Sequence, residues 1–158
     1  MGLEIERKFL VKHSWCPKSP GDEIAQGYLS SVPERTVRVR IRGGRGYLTV
    51  KGKNGGADAA RRAEFEYEIP VADARVMLAL AEPGVIEKVR HVESAPDGHA
   101  WEIDVFHGAN EGLLVAEVEL GAEDEPFARP AWLGAEVTGD ARYYNSSLAK
   151  HPFSEWSE

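Results

Sequence analysis

Hydrophobic and polar residues alternate along most of this chain. Residues 37–42, for example, place Val37, Val39 and Ile41 between arginines. An alternation with a period of two is typical of strands that have one apolar and one polar face, because successive side chains of a strand point to opposite sides. About seven such strands are predicted, and they centre on residues 3–8, 37–42, 48–53, 64–69, 88–90, 102–105 and 116–120.

Turn residues separate the predicted strands, which favours an antiparallel meander with short connections. The turn signals lie at residues 43–46, 95–98 and 108–112. Three helices are predicted, at residues 72–82, 124–133 and 141–150. Asp140 precedes the last of them and is expected to cap its N-terminus, because an aspartate side chain accepts hydrogen bonds from the free amides there.

Composition narrows the class of protein. The chain has 158 residues, so one domain over residues 1–158 is expected. A net charge of −7 disfavours a general nucleic-acid binder. No run approaches the ~20 apolar residues that span a bilayer, and the N-terminus lacks the apolar core of a signal peptide. With Cys16 as the single cysteine, a cytoplasmic protein is expected.

The charged positions of the predicted strands are sorted by sign. Acidic residues alternate on some strands, at Glu4, Glu6, Glu64, Glu66, Glu68, Glu102, Asp104, Glu117 and Glu119. Basic residues alternate on others, at Arg38, Arg40, Arg42, Lys51, Lys53, Lys88 and Arg90, and Lys8 adds one positive charge to the first strand. A solvated sheet face would explain any one strand. Rows of like charge repel one another, however, so the whole set indicates ligands of opposite sign.

A positively charged ligand for the acids and a negatively charged ligand for the bases together indicate a site that binds a metal ion and a polyphosphate. The arginines and lysines could surround phosphate groups, and the carboxylates could hold Mg²⁺ or Mn²⁺, which prefer oxygen ligands. A sheet of about eight strands can close into a barrel. If the apolar face is covered by helices, the charged face lines a wet interior, because unpaired ions cannot occupy a dry core.

Short motifs carry a resemblance to a known family. The segment Glu4-Ile5-Glu6-Arg7-Lys8 resembles the ExExK signature of the CYTH family, the triphosphate tunnel metalloenzymes. Similar blocks follow in order over roughly residues 3–149, at 26–29, 37–40, 48–51, 66–69, 87–90, 102–106, 116–119 and 136–145. The length is similar to that of the compact bacterial members.

The resemblance implies an α+β fold, a closed eight-stranded antiparallel β-barrel (tunnel) with peripheral helices. It implies metal binding by Glu4, Glu6, Asp104, Glu117 and Glu119. It implies phosphate binding by Lys8, Arg38, Arg40, Lys51, Lys88 and Arg90. Lys8, Arg38 and Arg40 would take part in catalysis, together with Glu66 and Glu68 at a second metal or at the attacking water.

The implied activity is metal-dependent hydrolysis of a triphosphate compound, with inorganic triphosphate as the leading substrate because the chain is short. A class IV adenylyl cyclase and a thiamine triphosphatase are the enzymatic alternatives. A polyphosphate-binding or nucleotide-binding sensor is the non-enzymatic one, although a simple polyanion binder would need mainly bases. No nucleic-acid or membrane partner is expected, and the resemblance leaves monomer and homodimer open.

Overall fold

The structure is a computed structural model that describes residues 5–32, 34–52, 64–122 and 124–156. These residues form nine strands and two α-helices, with three short 3₁₀ turns. The strands are β1 Ile5–Val11, β2 Asp22–Ser30, β3 Arg35–Arg42, β4 Arg45–Gly52, β5 Glu64–Ile69, β6 Ile86–Ser94, β7 Ala100–Phe106, β8 Leu114–Leu120 and β9 Leu133–Glu136. The helices are α1 Val71–Leu80 and α2 Asn145–Lys150.

The nine strands form one antiparallel sheet in the order β5-β4-β3-β2-β6-β7-β8-β1-β9. The prediction of a closed eight-stranded barrel is therefore wrong. Closure would require β5 to pair with the free side of β1, but β9 pairs there instead, with Phe9 opposite Glu136 and Val11 opposite Leu133. In the described part of the chain, β5 and β9 remain the two edges of an open sheet.

Two strands lie where the alternation gave no signal. Strand β2 reads DEIAQGYLS and lacks a regular apolar period. Strand β9 lies at the end of the segment predicted as a helix over residues 124–133, and that prediction is also wrong. Pro126 and Pro130 explain the difference, because a proline inside a helix removes a backbone hydrogen bond and clashes with the preceding turn.

The other two predicted helices are present but shorter. Helix α1 covers most of residues 72–82. In the C-terminal segment, Asp140 caps a 3₁₀ turn over Ala141–Tyr143 by accepting a hydrogen bond from the Arg142 amide at 3.1 Å. Helix α2 follows only at Asn145, because Tyr144 has an extended backbone conformation.

The apolar face of the sheet forms the main core. Phe9, Trp101, Ile103 and Val118 are all at most 1% exposed. Phe127 covers them and meets Phe9 and Trp101 edge-on, at centroid distances of 5.9 and 5.8 Å. These contacts hold the segment before β9 against the sheet. Leu10, Phe106 and Val115 of the same strands point to the other side, where they pack in a second apolar cluster with Leu148 of α2.

Glycines allow the helices to approach the strands closely. A Cβ atom at Gly46 would lie 2.8 Å from the Ala74 Cβ on α1. At Gly84, φ is +102°, and a Cβ there would lie 1.8 Å from the Ala149 carbonyl oxygen. The loop before β6 can therefore contact the end of α2 only with glycine at this position. This contact fixes α2 beside the charged side of the sheet.

The helices of the described residues are too short and too polar to cross a membrane.

Candidate active site

Strand register places the charged side chains on one side of the sheet. Directly opposite residues of neighbouring antiparallel strands point to the same side. Lys8 is opposite Glu117, which is opposite Glu102, and the same rule connects the remaining strands. We call this side the charged face. Across the sheet it carries Glu64, Glu66, Glu68, Lys51, Thr49, Arg38, Arg40, Gln26, Lys88, Arg90, Asp104, Glu102, Glu117, Glu119, Lys8 and Glu6.

Every candidate site residue within the described part of the chain lies on the charged face. Glu4 is the one predicted metal ligand that lies outside the described residues. The sign of the charge on this face varies from strand to strand. Bases predominate on β4, β3 and β6, and we call the part on β3 and β4 the basic end, although the neighbouring edge strand β5 carries three glutamates. Acids predominate on β7 and β8, and β1 carries Glu6 and Lys8.

A buried ion triad occupies the middle of the charged face. Both oxygens of Asp104 contact cations: Oδ2 lies 2.9 Å from the Lys88 ammonium, and Oδ1 accepts a hydrogen bond from Arg90 Nε at 2.8 Å. Lys88 and Asp104 are only 2% and 4% exposed. Arg90 also reaches Glu102 on the acidic side, at 3.3 Å. The structure thus surrounds Asp104 with bases, although the sequence pattern grouped it with the metal ligands.

The pKa values of the triad follow from burial and pairing. Burial lowers the pKa of Lys88, and Asp104 compensates only in part. Burial opposes ionisation of Asp104, but the contacts with Arg90 and Lys88 outweigh it and lower its pKa. Burial opposes the charge of Arg90 as well, yet its bonds with Asp104 raise its pKa. Asp104 therefore keeps a charged base in place at the centre of the face.

Two arginines on β3 are only weakly neutralised. Arg38 contacts Glu66 at 3.9 Å and Thr49 at 3.4 Å, and its buried Nε has no hydrogen-bond partner among the described residues. Arg40 donates from Nε to Gln26 Oε1 at 3.0 Å. Burial, together with Arg38, Arg90 and other like charges, lowers the pKa of Arg40 to about 10. These guanidinium groups lack the negative partners that an anionic ligand would supply.

The acidic end of the face contains Glu6, Glu102, Glu117 and Glu119. Glu6 is opposite Glu119, and its side chain is within hydrogen-bonding reach of Glu117. Partial burial, Glu117 and Glu119 all raise the pKa of Glu6. Lys8 supplies one compensating charge, with its ammonium 3.5 Å from Glu117 Oε1. A cation bound beside Glu6 would relieve this repulsion.

The donor chemistry of this end fits a hard divalent cation, because all the candidate ligands are carboxylates. Among the residues that the structure describes, no three acidic, histidine or cysteine side chains lie close enough together to hold a metal ion. The register nevertheless brings Glu6, Glu117 and Glu119 onto adjacent positions of β1 and β8.

Glu66 and Glu68 lie at the other end of the face, on the edge strand β5. Glu66 accepts a hydrogen bond from the Thr49 hydroxyl at 2.9 Å, and Glu68 lies 3.6 Å from Arg45. Their side chains are about half exposed. Six strands lie between β5 and β1 in the sheet order, and the side-chain contacts of these two glutamates are with residues of β3 and β4.

Two cavities mark the ends of the charged face. One of about 320 Å³ is lined by Arg38, Lys51 and Thr49 together with Ser146 and Lys150 of α2. The other, of about 470 Å³, is lined by Glu102, Glu117 and Glu119 and closed on one side by the turn at His99. The charge of each lining matches the cluster that borders it, basic at one end and acidic at the other.

Sequence reasoning did not assign Gln26, Thr49, Glu102, Ser146 or Lys150 to the site. Glu102 was visible in the alternating acidic pattern, and Gln26 lay in one of the family-like blocks. Thr49 and Ser146 carry no charge, so a search for charged positions passes over them. Lys150 comes from α2, and its position at the basic cavity depends on how that helix packs.

Comparisons with known proteins identify the family of this chain. The CYTH domain model matches residues 2–151. An inorganic triphosphatase of Acetivibrio thermocellus is 46% identical over 160 residues and covers 100% of both chains. One of Nitrosomonas europaea is 37% identical and covers 92% of this chain and 96% of that protein. A crystal structure of an inorganic triphosphatase superposes with a TM-score of 0.75 at 35% identity, covering 94% of this chain and 95% of the other. This chain belongs to the CYTH family.

Proposed function

We propose that this protein hydrolyses inorganic triphosphate to pyrophosphate and phosphate on the charged face, with a divalent metal. Two relatives that match nearly the whole chain are inorganic triphosphatases. The observation that carries the proposal is the division of one face into under-neutralised bases on β3 and mutually repelling acids on β1 and β8. A metal–triphosphate complex offers negative oxygens to the first group and a cation to the second.

Arg38, Arg40 and Lys51 bind the phosphate oxygens at the basic end. Their guanidinium and ammonium groups neutralise charge that spreads over these oxygens during phosphoryl transfer. Lys88 and Arg90 extend this group to the middle of the face. Asp104 serves as their counter-ion, because both of its oxygens are already engaged by them. Glu66 stays at the basic end, where it fixes Thr49 beside Arg38.

Glu6, Glu117 and Glu119, together with Glu4, would hold Mg²⁺ or Mn²⁺ at the acidic end. When bound, such an ion lowers the pKa of a water molecule and neutralises phosphate charge. Lys8 belongs to the acidic end, because it contacts Glu117 and shares β1 with Glu6. Its ammonium would contact a terminal phosphate oxygen beside these carboxylates.

The reaction needs no covalent intermediate on the protein. A water oxygen forms a bond to the terminal phosphorus, and the bond from that phosphorus to the bridging oxygen breaks. The bridging oxygen leaves as part of pyrophosphate, and the proton of the water passes to a carboxylate of the acidic end. The bases of the charged face hold the chain of phosphates so that attack and departure occur in line.

The test is a product assay on inorganic triphosphate, ATP and thiamine triphosphate, each with Mg²⁺, Mn²⁺ or EDTA. Phosphate, pyrophosphate and cyclic AMP are measured in the same samples. We expect phosphate release that is fastest with inorganic triphosphate and absent with EDTA. Arg40→Ala should lose this activity, whereas the control Arg75→Ala, on the exposed side of α1, should keep it. Cyclic AMP and pyrophosphate from ATP would instead establish a cyclase, and binding without product a sensor.

A further inference from the structure

Gln26 is a buried polar residue in the middle of the charged face. It lies on β2 directly opposite Arg40 and is only 1% exposed. Its Oε1 accepts the hydrogen bond from Arg40 Nε at 3.0 Å. Its Nε2 is also buried and has no hydrogen-bond partner within the part of the chain that the structure describes. A buried amide donor without an acceptor lowers the stability of the fold, so a buried glutamine at this position calls for an explanation.

The partner of Arg40 is neutral, unlike the partner of its neighbour Arg90. Arg90 is held by the carboxylates of Asp104 and Glu102. Among the described residues, no carboxylate lies within ion-pair distance of Arg40, and its only side-chain bond is the one from Nε to Gln26. An amide at this position fixes the plane of the guanidinium group without cancelling its charge. Both terminal nitrogens of Arg40 remain available as donors.

We infer that Gln26 is a positioning residue that orients Arg40 toward the phosphate oxygens of the substrate. This inference rests on the proposed function. Because a guanidinium group binds oxygen pairs in its own plane, fixing Nε decides where its other donors point. Gln26 Nε2 then gains an acceptor when a phosphate oxygen, or a water molecule that accompanies it, enters beside Arg40.

The test uses two substitutions of similar length, Gln26→Met and Gln26→Glu. Methionine removes the hydrogen bond and keeps an unbranched neutral chain. Glutamate keeps an acceptor for Nε but pairs a negative charge with Arg40. Calorimetric titration with inorganic triphosphate in EDTA measures binding without cleavage. We expect Gln26→Met to weaken binding about tenfold, which is the scale of one hydrogen bond to a charged group. Gln26→Glu should weaken it further, because it neutralises Arg40 and repels phosphate.

A double-mutant cycle separates positioning from general structural support. In an Arg40→Ala background, Gln26→Met should have no further effect on triphosphate affinity, because nothing remains to be oriented. A structural role would lower affinity in both backgrounds. Affinity losses that add, or unchanged binding by either Gln26 variant, would overturn the inference. If Gln26→Met does not fold in thermal melts, the same cycle with Gln26→Leu, which also removes the hydrogen bond without adding a charge, decides the question.

The two proposals fail in different ways. If the wild-type protein neither binds nor cleaves inorganic triphosphate, the proposed function is wrong. If the wild-type protein is active but the Gln26 and Arg40 effects are independent, only the positioning role is wrong. In steady-state assays with Mg²⁺, a positioning role predicts that Gln26→Met raises KM for inorganic triphosphate, with melting temperature unchanged within a few degrees.

Discussion

Asp104→Asn should destabilise the protein more than other single charge removals on the charged face. The substitution keeps the shape of the side chain but removes the charge that balances Lys88 and Arg90, at contacts of 2.9 and 2.8 Å. Removing one partner of a buried ion pair costs about 3–5 kcal/mol, because the other charge stays desolvated without compensation. Asparagine can still accept from Arg90 Nε, so we expect the lower end, about 3 kcal/mol.

Thermal melting at pH 7 measures this effect. For a chain of this size, 1 kcal/mol corresponds to about 2–4 °C, so the melting temperature should fall by about 6–12 °C. Asp22→Asn is the matched control. Asp22 contacts Arg42 at 3.3 Å, but its side chain is 52% exposed, so its loss should change stability by less than about 0.5 kcal/mol. A melting temperature for Asp104→Asn within about 2 °C of the wild type would refute the reasoning.

A second substitution and a pH series test the cause. Lys88→Met in the Asp104→Asn background removes the uncompensated ammonium and should recover much of the lost stability. The pKa of Asp104 is lowered from its ordinary 3.8, so its ion pairs stabilise the fold above that pH and lose their effect as pH falls through the lower folded-state value. The difference in melting temperature between the wild type and Asp104→Asn should therefore become smaller below about pH 4.

Three further predictions concern single residues. Arg40→Ala should weaken binding of inorganic triphosphate at least tenfold in calorimetry. Its melting temperature should change little; unchanged affinity would show that Arg40 does not contact the substrate. Glu6→Gln should abolish metal-dependent phosphate release. In EDTA at pH 7 it should stabilise the fold by less than about 1 kcal/mol, because partial burial and the neighbouring carboxylates raise the pKa of Glu6 and so disfavour its charged form above that pKa. Full activity of this variant would show that Glu6 is not a metal ligand. Glu136→Gln should lower the free energy of unfolding by about 1 kcal/mol at pH 7, measured in thermal melts, and should leave activity unchanged. Arg7 lowers the pKa of Glu136 from 4.5 to about 2, so this contribution should disappear as pH falls from about 4.5 to 2, and a constant difference would contradict it.

Local pattern predicted the strands and the composition of the charged face well. Alternation places every second residue on one side of a strand, so the residues that share a face follow from sequence alone. The alternation around Arg38 and Arg40, for example, corresponds to β3. Helix α1 was also visible, since it lies between Pro70 and the Pro83-Gly84 pair.

Closure and pairing could not be predicted in the same way. Whether a sheet closes depends on which strand occupies its edge, and β9 is four residues long within a proline-containing segment. Charge pattern likewise places Asp104 on the charged face but does not say which partners it contacts. Gln26 was missed for a related reason: it carries no charge, and its importance becomes visible only when its burial and its bond to Arg40 are known.

The charge distribution explains why metal and triphosphate should bind together. The centre of the face is neutralised internally by Asp104, so it holds the sheet together without a ligand. A polyanion alone would satisfy Arg38 and Arg40 but would increase the repulsion around Glu6. A divalent cation alone would relieve Glu6 but leave the arginines unpaired. Each ligand therefore reduces the electrostatic cost of the other, and because binding free energies are linked, each must raise the affinity for the other by the same factor.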